Sequence, residues 1–158
     1  MTPTNTPATT IEPDPHVPII RTVREFDSTA AQLLRAHTDP DLFRRWVGPD
    51  ASMITIDHWE CRAGGSWRFL DREQAFRGCF HDVRPDRIVQ TFTWEGMPDQ
   101  VALETLNFVD LGNGRSRLVA ESLTSNFEDR DAWMRSGMAT GIEEGYLKLD
   151  RLLADGTD

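Results

Sequence analysis

Apolar residues along this chain alternate in one segment, take helical spacing in two, alternate again through six more, and end in one long helical stripe. Ile19 to Phe26 mixes β-branched residues with charges and predicts a first strand. Thr29 and Gln32 form a capping box that opens a helix carrying Ala30, Leu33 and Leu34 up to His37. A second short helix starts at Asp39, has Pro40 at its first position, presents Leu42, Phe43 and Trp46, and stops at Gly48-Pro49. Strands are then predicted over Met53 to Cys61, Ser66 to Asp71, Phe76 to Val83, Ile88 to Glu95, Val101 to Leu111 and Arg115 to Thr124. Turn residues separate them, notably Arg84-Pro85-Asp86-Arg87 and the hairpin signal Gly112-Asn113-Gly114.

The last element predicts a single helix from the S-x-x-E box Ser125/Glu128 to about Leu153. Gly137, Gly141 and Gly145 recur on one stripe of it. Inside a helix each glycine costs about 1 kcal/mol relative to alanine, so three in register call for a close approach by a sheet or a ligand. The helix is shallow in its first half, and Leu149, Leu152 and Leu153 make its second half apolar. This order is an α+β fold: an antiparallel meander of about six or seven strands whose one face is covered by the C-terminal helix, with two short helices after the first strand.

A length of 158 residues suits one domain with a core of its own. Residues 1–18, with prolines at 3, 7, 13, 15 and 18, read as a disordered Pro/Thr-rich tail, leaving 19–155 as the domain. The net charge of -9 argues against nucleic acid, which needs a basic face. Neither a secretory signal nor a membrane-length apolar run is visible, so a cytoplasmic protein with no membrane partner is expected. Cys61 and Cys79 lack CxxC spacing and are expected as reduced strand thiols, with a disulfide between them as the alternative.

Four separated motifs, Trp46-Val47-Gly48-Pro49, Arg62-Ala63-Gly64-Gly65-Ser66-Trp67-Arg68, Arg84-Pro85-Asp86-Arg87-Ile88-Val89-Gln90-Thr91-Phe92 and Ser136-Gly137-Met138, resemble the bacterial branch of the proteins named after the activator of Hsp90 ATPase. That branch belongs to the START-like, Bet v 1-like (SRPBCC) superfamily, which includes polyketide cyclases; the resemblance spans residues 20–154. It implies a helix-grip fold, a curved sheet wrapped round the last helix, commonly with a hydrophobic cavity between them. It implies no single reaction and supplies no catalytic set.

A pocket of this kind is lined by apolar and aromatic groups with a few placed polar ones. Trp46, Trp59, Trp67, Phe69, Phe80, Phe92 and Trp94 are the candidate aromatics, and Met134, Met138, Gly141 and Gly145 the candidate helical wall. The same stripes also serve ordinary core packing. Both faces of Ile88 to Glu95 carry apolar groups, which leaves open whether Phe92 and Trp94 look into the groove. Asp57, Glu104, Glu121, His58 and His81 are the polar candidates. Glu104 shares a face with Ala102, Leu106 and Phe108, and Glu121 with Val119 and Leu123; a carboxylate so placed either faces water or lines a cavity, because a dry core is too costly. Such a group serves as a general acid/base or orients a ligand.

His16, His37, His58 and His81 show no zinc spacing, no G-x-S-x-G elbow is present, and the Gly pairs lie between strands rather than before helices. No metal or cofactor is therefore expected. The first functional reading is a domain binding a hydrophobic or aromatic small molecule between sheet and helix. The second is a cyclase- or lyase-like enzyme using a cavity acid/base. The third, suggested by the family's name, is a module acting on a chaperone ATPase. A homodimer through an open strand edge is a further expectation.

Overall fold

The computed structural model describes residues 9–48 and 50–156. Strand β2 (Ile19–Phe26) alternates as expected, with Ile20, Thr22, Arg24 and Phe26 turned inward. The capping box then starts α1 (Ala30–Thr38): Gln32 N–H donates to Thr29 Oγ1 at 3.1 Å, and Thr29 N–H donates back to Gln32 Oε1 at 2.9 Å. Asp39 both ends α1 and caps α2 (Pro40–Trp46), its carboxylate accepting the Asp41 N–H at 2.9 Å.

The meander follows as β3 (Ile54–Trp59), β4 (Ser66–Asp71), β5 (Gln74–Arg84), β6 (Arg87–Trp94), β7 (Ala102–Gly112) and β8 (Arg115–Leu123). An eighth strand, β1 (Thr10–Pro13), corrects two expectations, the strand number and the disordered tail. It pairs antiparallel with β2, Thr10 opposite Val23 and Pro13 opposite Ile20. What orders this segment is far away in sequence. The buried Arg130 guanidinium donates to the carbonyls of Asp14 at 2.8 Å, Val17 at 3.4 Å and Ile19 at 3.3 Å. Residues 1–8 of the expected tail lie outside the described residues. The sheet order is β1-β2-β8-β7-β6-β5-β4-β3, every pair antiparallel, with bulges at Ile56/His58, Phe80/Asp82 and Asp110/Gly112 that bend it.

The expected single C-terminal helix is two: α3 (Phe127–Arg135) and α4 (Met138–Asp155). Gly137 separates them at φ +85°, a left-handed conformation that glycine adopts without the strain a Cβ brings. The cap of α3 is Asn126, not Ser125; its side-chain oxygen accepts the Asp129 N–H at 2.7 Å. Tertiary packing is tightest where α1 and the C-terminal half of α4 meet the sheet, with Phe26, Leu33, Leu118 and Leu149 fully buried. Both cysteines are free. No helix among the described residues is long and apolar enough to cross a membrane.

Candidate ligand-binding cavity

The N-terminal half of α4 does not fill the space above the sheet, and a cavity of about 570 Å³ remains there. The two glycines of α4 do different things. A Cβ at Gly141 would meet nothing within 4 Å, so this position leaves the cavity open. A Cβ at Gly145 would lie 3.1 Å from the Trp46 carbonyl oxygen, so this position lets α4 approach α2 closely.

The walls are aromatic. Trp67 stacks on Phe69 with centroids 5.6 Å apart, and the ring contacts continue through Phe76 and Phe92 to Trp133 on α3. A second group joins Phe43 to Trp46 and Trp59. The two indoles are oriented by the end of α1, where carbonyls lack helical partners. Trp46 Nε1–H donates to Ala36 O at 2.9 Å, and Trp59 Nε1–H donates to Thr38 O at 2.8 Å.

The floor holds a polar row fixed by strand register, in which Gln90 of β6, Glu104 of β7 and Ser122 of β8 stand opposite one another. Gln90 Nε2–H donates to Glu104 Oε1 and Ser122 Oγ–H to Glu104 Oε2, each at 2.9 Å. Glu104 is partly buried, and it lines the cavity. Burial pushes its carboxyl above the ordinary range, while the hydrogen bonds from Gln90 and Ser122 pull the other way. His37, buried against Trp46 and Phe108, is pushed down to about 4 by burial and is neutral at pH 7. Its Nδ1 lies 2.8 Å from Leu33 O and so carries the proton, leaving Nε2 an acceptor. Tyr146 lines the same space, and its phenol pKa is raised by burial and then by the nearby Glu104 charge.

Of the residues singled out from sequence, Trp46, Trp59, Trp67, Phe69, Phe92, Met138, Gly141, Gly145 and Glu104 line the cavity. Phe92 thus looks inward. Trp94 lies past the end of the groove, its indole over Gly96 and its Nε1–H on Gln74 Oε1 at 2.7 Å. Phe80 is core, packed edge-on to Trp59. Met134 does not reach the wall because the break at Gly137 resets the helical phase, and Trp133 is presented instead.

Glu121 is on the outer face of β8, 3.6 Å from Arg21 Nε; the apolar neighbours it shares, Val119 and Leu123, are on that outer face too. His58 is exposed near the β3 edge, beside Ser66 and Glu60, and Asp57 faces Arg68 outside. His81 is exposed on β5. Of the polar candidates, Asp57, Glu121, His58 and His81 therefore do not line the cavity, and Glu104 does.

Sequence reasoning missed His37, Tyr146, Trp133 and Gln90. The signal for His37 was present, since it lies one turn beyond Leu33 on the apolar face of α1. Among the described residues no group of three or more His, Cys, Asp or Glu is placed to hold a metal ion.

Similar folds are known. A protein from Rhodobacter sphaeroides is 26% identical, with a TM-score of 0.80 over 94% of this chain and 100% of the other. Proteins from Arthrobacter aurescens (20% identity, TM-score 0.81, 94% and 93% covered) and Mycobacterium smegmatis (17%, 0.80, 92% and 97%) share the fold. No curated protein matches the chain. Residues 27–154 match the family described as Activator of Hsp90 ATPase homolog 1-like protein. The chain, with its eight-stranded sheet closed by a long C-terminal helix, belongs to that family.

Proposed function

We propose that this protein binds a small molecule with an apolar or aromatic body between its sheet and α4. One observation carries the reading: a cavity of about 570 Å³ walled by aromatic rings, with a short polar row on its floor. That volume falls within the range of roughly 300–1,000 Å³ typical of small-molecule pockets, and the composition is theirs as well. Titration with the neutral dye N-phenyl-1-naphthylamine tests it, with near-UV circular dichroism to verify native packing. Saturable binding near one dye per chain is expected, and its loss in Gly141→Leu would locate the dye. A natively packed protein that takes up no dye would refute the reading.

A second reading, a cyclase- or lyase-like enzyme, is favoured by the cavity-lining Glu104, whose raised pKa suits a general acid/base. Turnover of any substrate that survives Glu104→Gln unchanged would remove that role. The family's description mentions activation of an Hsp90 ATPase. For this chain that partner is a proposal resting on the description alone, and an ATPase assay with a cognate Hsp90 tests it.

A further inference from the structure

We propose that the cavity selects an amine: a small molecule whose apolar or aromatic body fills the walls and whose ammonium group seats on Glu104. This rests on the ligand-binding reading above and specifies the class of ligand.

The first argument is charge. The lining groups able to carry charge are Asp71, Glu104, His37 and Tyr146, with no lysine or arginine among them. Glu104 lies on the floor, and both of its hydrogen-bond donors, Gln90 and Ser122, are neutral. The nearby cations are already matched. Arg24 lies behind the rings of Phe26 and Tyr146 and is held by both Asp150 oxygens at 2.7 Å. Lys148 is not itself a lining residue; it donates to the carbonyl of Gly48 at the cavity wall, with the carboxylates of Asp50 and Asp71 near enough to favour its charge. A carboxylate enclosed without a cation is costly, and a cationic ligand removes that cost.

Hydrogen-bonding capacity points the same way. An ionised carboxylate has about four acceptor sites, and each Glu104 oxygen uses one on protein. Among the described residues His37 Nε2 and the Tyr146 hydroxyl have no partner, and the two residues are only 8% and 7% exposed. Asp71 Oδ1 is likewise buried and unpartnered. Against these acceptors stand fewer unused donors: the Trp67 indole N–H, the hydroxyl protons of Tyr146 and Thr22, and the second amide N–H of Gln90. An ammonium group, with donors only, complements that surplus; a carboxylate, with acceptors only, adds to it. The rings of Trp46, Trp59 and Tyr146 also line the cavity, and aromatic faces attract cations. Proton balance holds from either starting state. An ammonium meets the Glu104 carboxylate directly, or a neutral amine takes the Glu104 proton, and the same ion pair results.

Three ligands on one skeleton test this by calorimetry at pH 7: 2-(1-naphthyl)ethylamine, 1-ethylnaphthalene and 1-naphthaleneacetate. The amine is expected to bind about tenfold or more tighter than the hydrocarbon, and the acid weaker than both. Glu104→Gln is expected to bring the ratio of amine to hydrocarbon affinity to about one. An acid that binds as well as the amine, or an amine no better than the hydrocarbon, overturns the amine proposal and leaves the cavity reading standing. No binding by any of the three overturns both. Should Glu104→Gln lose its near-UV signal, the ranking of the three ligands on the unaltered chain decides.

Discussion

Gly145 lies one helical turn beyond Gly141 on the same stripe of α4, yet the two meet opposite surroundings: the Trp46 backbone at 3.1 Å from a Cβ in one case, and open cavity in the other. Substitutions there should therefore diverge. Gly141→Ala is expected to stabilise the fold by up to about 1 kcal/mol, since it gains helix propensity and touches nothing. Gly145→Ala gains the same propensity but presses on a carbonyl that cannot move without shifting α2, so it is expected to gain nothing or to lose stability. Urea melts of the two variants side by side check this; equal gains would contradict the assigned contacts.

His37 makes stability depend on pH. Its pKa is lowered from 6.5 to about 4 in the folded chain, so between those values the unfolded chain binds the proton more readily. The stability it permits is whole above pH 6.5 and drains away as pH falls toward 4. Between pH 7 and pH 5 the loss from this residue comes to about 2 kcal/mol. Urea melts at both pH values should show that loss in the wild type and a smaller one in His37→Gln. Equal slopes would mean that His37 is not buried neutral.

The pair formed by Arg24 and Asp150 ties β2 to the end of α4, with the Arg24 side chain 2% exposed and Asp150 33%. Asp150→Ala leaves that guanidinium buried and unpaired, and a loss of about 3 kcal/mol is expected. Arg24→Met combined with Asp150→Ala removes the orphan charge and should recover part of the loss. A double variant no more stable than Asp150→Ala alone would argue against a buried-charge penalty.

The Tyr146 hydroxyl bonds to nothing among the described residues, while its ring packs edge-on to Phe26 at 5.5 Å and against Trp46 at 6.1 Å. Tyr146→Phe keeps those packing contacts and should leave the melting temperature within about 2 °C of wild type. A large drop would reveal a hydrogen bond that this hydroxyl is not seen to make.

Anionic and neutral dyes should also be told apart. With Glu104 and Asp71 in its lining, the cavity is expected to bind anilinonaphthalene sulfonate more weakly than N-phenyl-1-naphthylamine, which has the same rings without the charge. Paired fluorescence titrations at low and moderate salt decide it, and a tighter sulfonate would show that the acids do not govern entry.

Local signals in the sequence specify much of this protein. The Thr29/Gln32 box, Pro40 behind Asp39, the Arg84–Arg87 turn and the Gly112-Asn113-Gly114 hairpin determine where elements begin and end, because capping and turn chemistry act within a few residues. Alternation set the faces of β2, and the apolar second half of α4 announced the core around Leu149 and Leu152. The sequence alone also marked Glu104 as an acid among apolar neighbours. Other features depended on distant partners. Strand β1 exists beside β2, and Arg130 holds the following segment from a helix more than a hundred residues away. Glu104 and Glu121 look alike in sequence, each flanked by apolar residues, and only the sheet's curvature and the covering of one face by α4 put the first inside and the second beside Arg21. Likewise the break at Gly137 turned Trp133 rather than Met134 to the wall. Side-chain periodicity tells which residues share a face, but which face is covered depends on what packs against it, and that is decided only when the whole chain has folded.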